Sequence, residues 1–141
     1  MPDYSSFVKI RPYTQEDFNF IKSTFLKNLF YSGVEPRLSG TSKQMFMDHW
    51  NSVMPNSLPA GFSASIVCLP DDEYTILGYC LHTTDSKAVV FTYIKAKWRN
   101  KGLAKLVIPK QADYYMIKTD NLRDLETRMS LKFEPYYKPK G

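Results

Sequence analysis

The chain has 141 residues, enough for one compact domain with its own hydrophobic core and no need of metal or disulfide staples. Apolar residues make up 43% and aromatic ones 15%, which excludes a disordered chain, because so much burial offsets the entropy of ordering. The formal charge of +5 permits an anionic partner without demanding a nucleic acid.

Residues 7–12, "FVKIRP", alternate apolar and polar and then meet Pro12, which predicts a short strand. Thr14 and Asp17 stand as a capping box ahead of "FNFIKSTFLKNLF", where Phe18, Ile21, Phe25 and Leu29 recur at helical spacing. Gly33, Pro36 and Gly40 break that helix. A second helix is expected over "KQMFMDHWNSVM", with Met45, Phe46, His49, Trp50 and Val53 on one broad face, His49 packed into the core, and Pro55 as the stop. Three strands follow, "FSASIVCL" (62–69), "TILGYCLHT" (75–83) and "AVVFTYIK" (88–95), joined by the short turns "PDDEY" and "TDSK". Such a run reads as an antiparallel meander. A helix is expected from Gly102, limited or kinked by Pro109. "DYYMIKT" reads as a further strand, "DNLRDLETRM" as a short helix capped by Asp120, and "SLKFEPYYKPKG" as a closing strand or extended tail. The expected order is β-α-α-β-β-β-α-β-α-β over a single domain, residues 1–141.

Cys68 and Cys80 each lie inside an apolar run, so two buried thiols are expected, with a disulfide open to them if the runs are neighbouring strands. His49 and His82 have no partner at metal-ligand spacing. No apolar stretch approaches the length of a membrane span, and "MPDYSSF" lacks a signal-peptide core, so a cytoplasmic protein is the expectation.

One stretch points to chemistry. "KAKWRNKGLAKL", residues 95–106, carries five cations, no acid and a glycine where a helix can begin. The first amides of a helix have no intrahelical acceptor, and glycine lets a ligand approach the backbone closely. That combination suits a diphosphate. Neither the P-loop pattern nor the dinucleotide fingerprint is present.

Arg99-Asn100-Lys101-Gly102-Leu103-Ala104 resembles the [RQ]-x-x-G-x-[GA] signature of the GNAT-fold N-acetyltransferases. The surroundings resemble that family too: "IRPYTQEDFNFI" its first strand and helix, "ILGYCLH" its third strand, "FTYIKAKW" its fourth. The resemblance runs in order along essentially the whole chain. The closing "F-x-P-Y" also resembles short acetyltransferase-like proteins of bacteriophages, which would put the protein in a host cytoplasm or a virion. The resemblance implies an α+β (α/β) fold, with a mixed, mostly antiparallel central sheet flanked by helices. It implies transfer of acetyl from acetyl-coenzyme A to an amine-bearing acceptor. It places coenzyme A against Tyr93 and Ile94 of the fourth strand and against Arg99, Asn100, Lys101, Gly102, Leu103 and Ala104, with Lys110 a candidate for an adenosine phosphate. An N–H near Tyr93 and Ile94 would receive the oxyanion.

The chain also departs from the family. Ala96 stands where a proline is common, and Pro109 interrupts the coenzyme helix. "AVVFTYIK" has no acid where a glutamate commonly serves as base, and "LRDLETRM" has no tyrosine where one commonly protonates the thiolate. Glu35 and His82 remain as candidate bases, and Tyr136 and Tyr137 as candidate acids. The missing base supports a second reading, a non-catalytic structural or regulatory protein of this fold with a protein partner. Nucleic-acid binding ranks last, because the cations form one cluster rather than a stripe interleaved with aromatics.

Overall fold

The computed structural model describes residues 7–32, 42–99, 101–116, 130–134 and 137–138, the side chains of 29–32 excepted. In chain order the elements are β1 (Lys9–Pro12), α1 (Phe18–Ser32), α2 (Lys43–Val53), β2 (Phe62–Leu69), β3 (Asp72–Thr83), β4 (Ala88–Ile94), α3 (Leu103–Val107), β5 (Tyr114–Tyr115) and β6 (Lys132–Phe133). The helix expected over 120–129 lies outside the described residues. The strands form one six-stranded sheet in sequence order. The first four are antiparallel, while β5 runs parallel to β4 and β6 parallel to β5. This is the expected mixed α+β architecture.

The local signals account for most of the elements. Asp17 caps the entry to α1, accepting from the Thr14 N–H at 2.8 Å. Ser42 caps α2, its hydroxyl accepting from the Met45 N–H at 3.2 Å. β3 starts at Asp72, earlier than expected, because only Pro70 and Asp71 are needed to turn the chain. α3 ends at Val107, two residues before Pro109.

The sheet has a cluster on each face. On the α1 side Ile21, Phe25 and Leu26 pack with Tyr79, Leu81 and Phe91. On the α3 side Leu103, Val107 and Ile108 pack with Leu77, Cys80 and Val89. α2 contributes less than its pattern suggested. Phe46 is buried, but Met45 is 70% and Val53 43% exposed, and His49 is exposed with only its ring edge against Trp50. The core role expected for His49 is therefore corrected: Trp50 covers the cluster and the histidine lies outside it. Cys68 and Cys80 are both buried and free. Their strands are neighbours, but Cys68 pairs with Ile76 and Cys80 with Ser65, and the two side chains join opposite clusters.

Two irregularities shape the middle of the sheet. β3 holds an extra residue, Leu77, opposite the step from Val67 to Cys68. β4 holds an extra residue, Val90, opposite the step from Leu81 to His82. Bulges of this kind bend a strand and increase its twist. Gly78 then lets β4 close down on β3: a Cβ there would lie 2.4 Å from the Tyr93 carbonyl oxygen and 3.0 Å from the Ile94 Cα. Gly78→Ala should cost about 1–3 kcal/mol, because backbone atoms must move to admit the methyl. The check is the urea midpoint, and an unchanged midpoint would show that β4 is not held this tightly.

A buried ion pair ties β1 to α1. Arg11 donates to both oxygens of Asp17, at 2.8 and 2.7 Å, and the two residues are 8% and 3% exposed. Burial opposes the Asp17 charge, but the guanidinium and the Thr14 N–H outweigh it and hold its pKa below the usual value. The pair therefore contributes stability above the unfolded aspartate pKa, near ~4, and that contribution is lost as pH falls through the lower folded value. Asp17→Asn should cost about 3–5 kcal/mol at neutral pH by stranding the arginine. The gap from wild type should narrow in unfolding curves taken below pH ~4.

Candidate functional site

The β4 strand has two different halves. Its first residues are paired on both sides, since Ala88 and Val89 pair with Tyr114 and Tyr115 and the Met116 N–H reaches the Val89 carbonyl at 2.9 Å. Beyond the Val90 bulge, from Val90 to Ile94, no described residue of β5 pairs with it. On the other side β4 stays bound to β3, through to the Lys95 N–H donating to Leu77 at 2.8 Å. The alternation of an antiparallel ladder therefore turns the N–H and C=O of Thr92 and Ile94 away from β3, toward the open edge. Arg99 confirms this for Ile94, because its Nε donates to the Ile94 carbonyl at 2.8 Å.

The chain then makes one 3₁₀ turn, Ala96–Trp98, and reaches Gly102 with φ +78° and ψ 10°. This left-handed conformation favours glycine. A Cβ at Gly102 would meet nothing within 4 Å, so the backbone here faces open space. Leu103 and Ala104 follow as the first residues of α3. Their side chains serve the core, Leu103 buried and Ala104 packed against the same cluster, while their amides are among the first of a helix and lack an intrahelical acceptor. α3 is five residues long, so the amides rather than a long helix dipole are what it offers.

The two sides of the open edge differ. On the α3 face Ile94 packs with Leu103 and Trp98. On the α1 face Tyr93 stands edge-on to Phe20, with centroids 6.1 Å apart, and the Lys95 ammonium lies 5.3 Å from the Phe20 centroid.

Of the candidate bases and acids, the two that are described, His82 and Tyr137, lie away from this edge. His82 is buried at the far end of β3, where it pairs with Val89, roughly 15 Å along the strand from Ile94. Both ring nitrogens are engaged. Nδ1 donates to the Thr83 carbonyl at 2.6 Å, which leaves Nε2 to accept from the Ser65 hydroxyl at 3.0 Å. Tyr137 lies at the same far end, its hydroxyl donating to Asp85 in the β3–β4 turn at 2.6 Å and its ring against Tyr114. The bond to Asp85 is the main reason its pKa is pushed up to about 12. Burial pushes the Cys80 thiol up to about 12 as well, which makes it a poor nucleophile. Glu35, Asn100 and Tyr136 lie outside the described residues. The signal that sequence reading missed is the return of Arg99 to its own strand. It is a contact of five residues' separation that no periodicity reports.

A shallow depression at the other side of the sheet is lined by Arg11, Thr14, Glu16, Glu73 and Tyr74. It belongs to the ion pair at the start of α1 rather than to the open edge. Among the described residues no three His, Cys, Asp or Glu side chains gather as a metal site, and no helix is long and apolar enough to cross a membrane.

No protein-family model matches the chain, and no curated protein matches it by sequence. Solved structures do match it by shape. A candidate acetyltransferase from Clostridium difficile 630 is 11% identical with a TM-score of 0.53, and the match covers 96% of each chain. An integron cassette protein from the mobile metagenome of V. cholerae is 13% identical with a TM-score of 0.52, over 95% of this chain and 93% of that one. YycN of Bacillus subtilis, another candidate acetyltransferase, is 14% identical with a TM-score of 0.52, over 90% of this chain and 80% of that one. The chain thus has the mixed α+β fold of the GNAT acetyltransferases. The three are bacterial, which gives the expected bacteriophage kinship no support.

With Tyr137 placed as an anchor, Tyr137→Phe should lower stability by about 1 kcal/mol in urea unfolding, the worth of one hydrogen bond. A loss of several kcal/mol would mean that the C-terminal segment depends on this contact alone.

Proposed function

We propose that the protein is an acetyl-coenzyme A-dependent N-acetyltransferase, and that the coenzyme's chain enters at the open half of β4. The observation that carries this is the edge itself: Ile94 turns its N–H outward, and its carbonyl is met by a side chain instead of a strand. A strand with free outward amides takes an extended amide-bearing chain as another strand would. The Gly102 turn and the amides of Leu103 and Ala104 then suit the diphosphate, with Lys101 next to Gly102 in the chain. The residues fit the group: a backbone open at Gly102, a strand edge that no described residue pairs beyond Val89, and a cationic turn between them.

When bound, the coenzyme supplies an activated acyl thioester. The Ile94 N–H is the donor available to the acyl oxygen, fixed in direction by the β3–β4 ladder and needing no rearrangement as charge develops. Ile94, Trp98 and Leu103 shield that point on one face. Arg99 holds the end of β4 to the turn, and so fixes the span between the amide that meets the acyl group and those that meet the phosphates. No acid stands on β4, so the acceptor's proton leaves through water or through a group outside the described residues.

Coenzyme A should bind measurably in calorimetry and raise the melting temperature. Gly102→Val places a branched residue at a left-handed position, a cost of about 1–2 kcal/mol that leaves the fold standing. It should weaken coenzyme binding by about tenfold or more, corresponding to ~1.4 kcal/mol of contact. Unchanged binding in this variant would put the diphosphate elsewhere, and wild-type protein that ignores coenzyme A at millimolar concentration would end the reading.

A further inference from the structure

We propose that the acceptor is a small primary amine that also carries a carboxylate or phosphate, and that Lys95 holds that anion. The inference rests on the reading that acyl transfer occurs at the Ile94 edge. On the α3 face of that edge Ile94 and Trp98 pack against the cluster that holds Leu103. An acceptor must then come from the α1 face, where it meets Phe20, Tyr93 and Lys95.

Lys95 is suited to such a partner. It is half-buried, its ammonium is held over the Phe20 ring, and no carboxylate pairs with it among the described residues. The lysines that do form ion pairs, Lys9 with Glu73 and Lys87 with Asp113, lie elsewhere on the sheet. The chain from Ser86 to Ala112 contains no Asp or Glu at all. The acids just ahead of α1 are engaged elsewhere, since Asp17 is bound to Arg11 and Glu16 lines the depression beside β1. A ring-held, partly desolvated ammonium with no counter-charge among the described residues is a favourable point for an incoming anion.

The same charge bears on the reaction. A cation beside the acceptor disfavours a second one, so the amine's protonated form is destabilised there and the neutral nucleophile is favoured. That offsets the absence of an acid on β4. It also selects against polyamines, which bring only positive charge. In the transfer the nitrogen gains an N–C bond and the C–S bond breaks. The electron pair of that bond and the displaced proton end on sulfur as the free thiol.

The experiment measures thiol release from acetyl-coenzyme A with matched acceptors: glycine against glycinamide, phosphoethanolamine against ethanolamine, and spermidine. The first pair tests the carboxylate and the second the phosphate. Wild-type kcat/KM should favour the anionic member of at least one pair by about tenfold, the effect of one charge-assisted contact. Spermidine should rank below both anionic acceptors. Lys95→Met should bring that ratio to about one, with Lys95→Arg retaining most of it and coenzyme A affinity by calorimetry changing less than about threefold in either. Equal use of neutral and anionic members, preference for spermidine, or a ratio that survives Lys95→Met would overturn the proposal. Coenzyme A binding with no turnover of any acceptor in the panel would overturn it too while leaving the coenzyme site standing. Absence of coenzyme A binding would remove the reading beneath it.

Discussion

Everything at the candidate site depends on how closely β4 lies on β3. At Gly78 the Tyr93 carbonyl, the Ile94 Cα and the Ile94 Cδ1 together occupy the volume a Cβ would need. Bulges at Leu77 and Val90 bend the same pair of strands. Among the described residues β4 keeps β3 as far as Ile94, while β5 pairs only with Ala88 and Val89. This fit is a product of backbone geometry in the middle of the sheet, and Gly78, which permits it, lies on β3 rather than on β4 itself.

That division also separates two tasks within one strand. At the Ala88 end, Asp85 gathers the Thr83 hydroxyl, the Lys87 N–H and the Tyr137 hydroxyl, so the hairpin turn and the C-terminal segment are fastened together. His82 lies at that end with both nitrogens occupied. At the Ile94 end the polar backbone faces outward. Of the titratable groups that sequence reading singled out for catalysis, His82 and Tyr137 are therefore placed where hydrogen bonds fix the architecture, while the Ile94 end offers backbone amides and leads into a cationic turn. β4 itself carries no carboxylate or imidazole, so in the proposed reaction the protonation state in which the acceptor arrives carries much of the weight.

The fold was legible because its signals are local. Thr14 with Asp17 announces α1, the polar turns mark the meander, and the glycine and proline at 102 and 109 bracket a one-turn helix. Where the reading of α2 went astray, the reason is that an apolar stripe shows only which face is apolar, not how far the helix sinks. Phe46 reached the core and Met45 and Val53 did not. The bulges were not legible, since an extra residue in a strand leaves the alternation intact on either side of it. Neither were the partners of His82 and Tyr137. Ser65 is 17 residues from the one and Asp85 52 from the other, and only the paired sheet brings them together. The glycine of "ILGYC" could be noted in the sequence, but its reason lies in β4, which the chain has yet to make at that point.

The bond from Arg99 to Ile94 changes what the first position of the signature asks for. That position admits arginine or glutamine, two side chains that share neither charge nor length but do share a planar nitrogen donor. Here the donor is spent on a backbone carbonyl five residues back. Read this way, the position selects for a group that can close the end of a strand lacking a neighbour. The bond is made by Nε alone, so the strand end is closed by the planar donor, and the cationic character of the turn rests equally on Lys95, Lys97, Lys101 and Lys105.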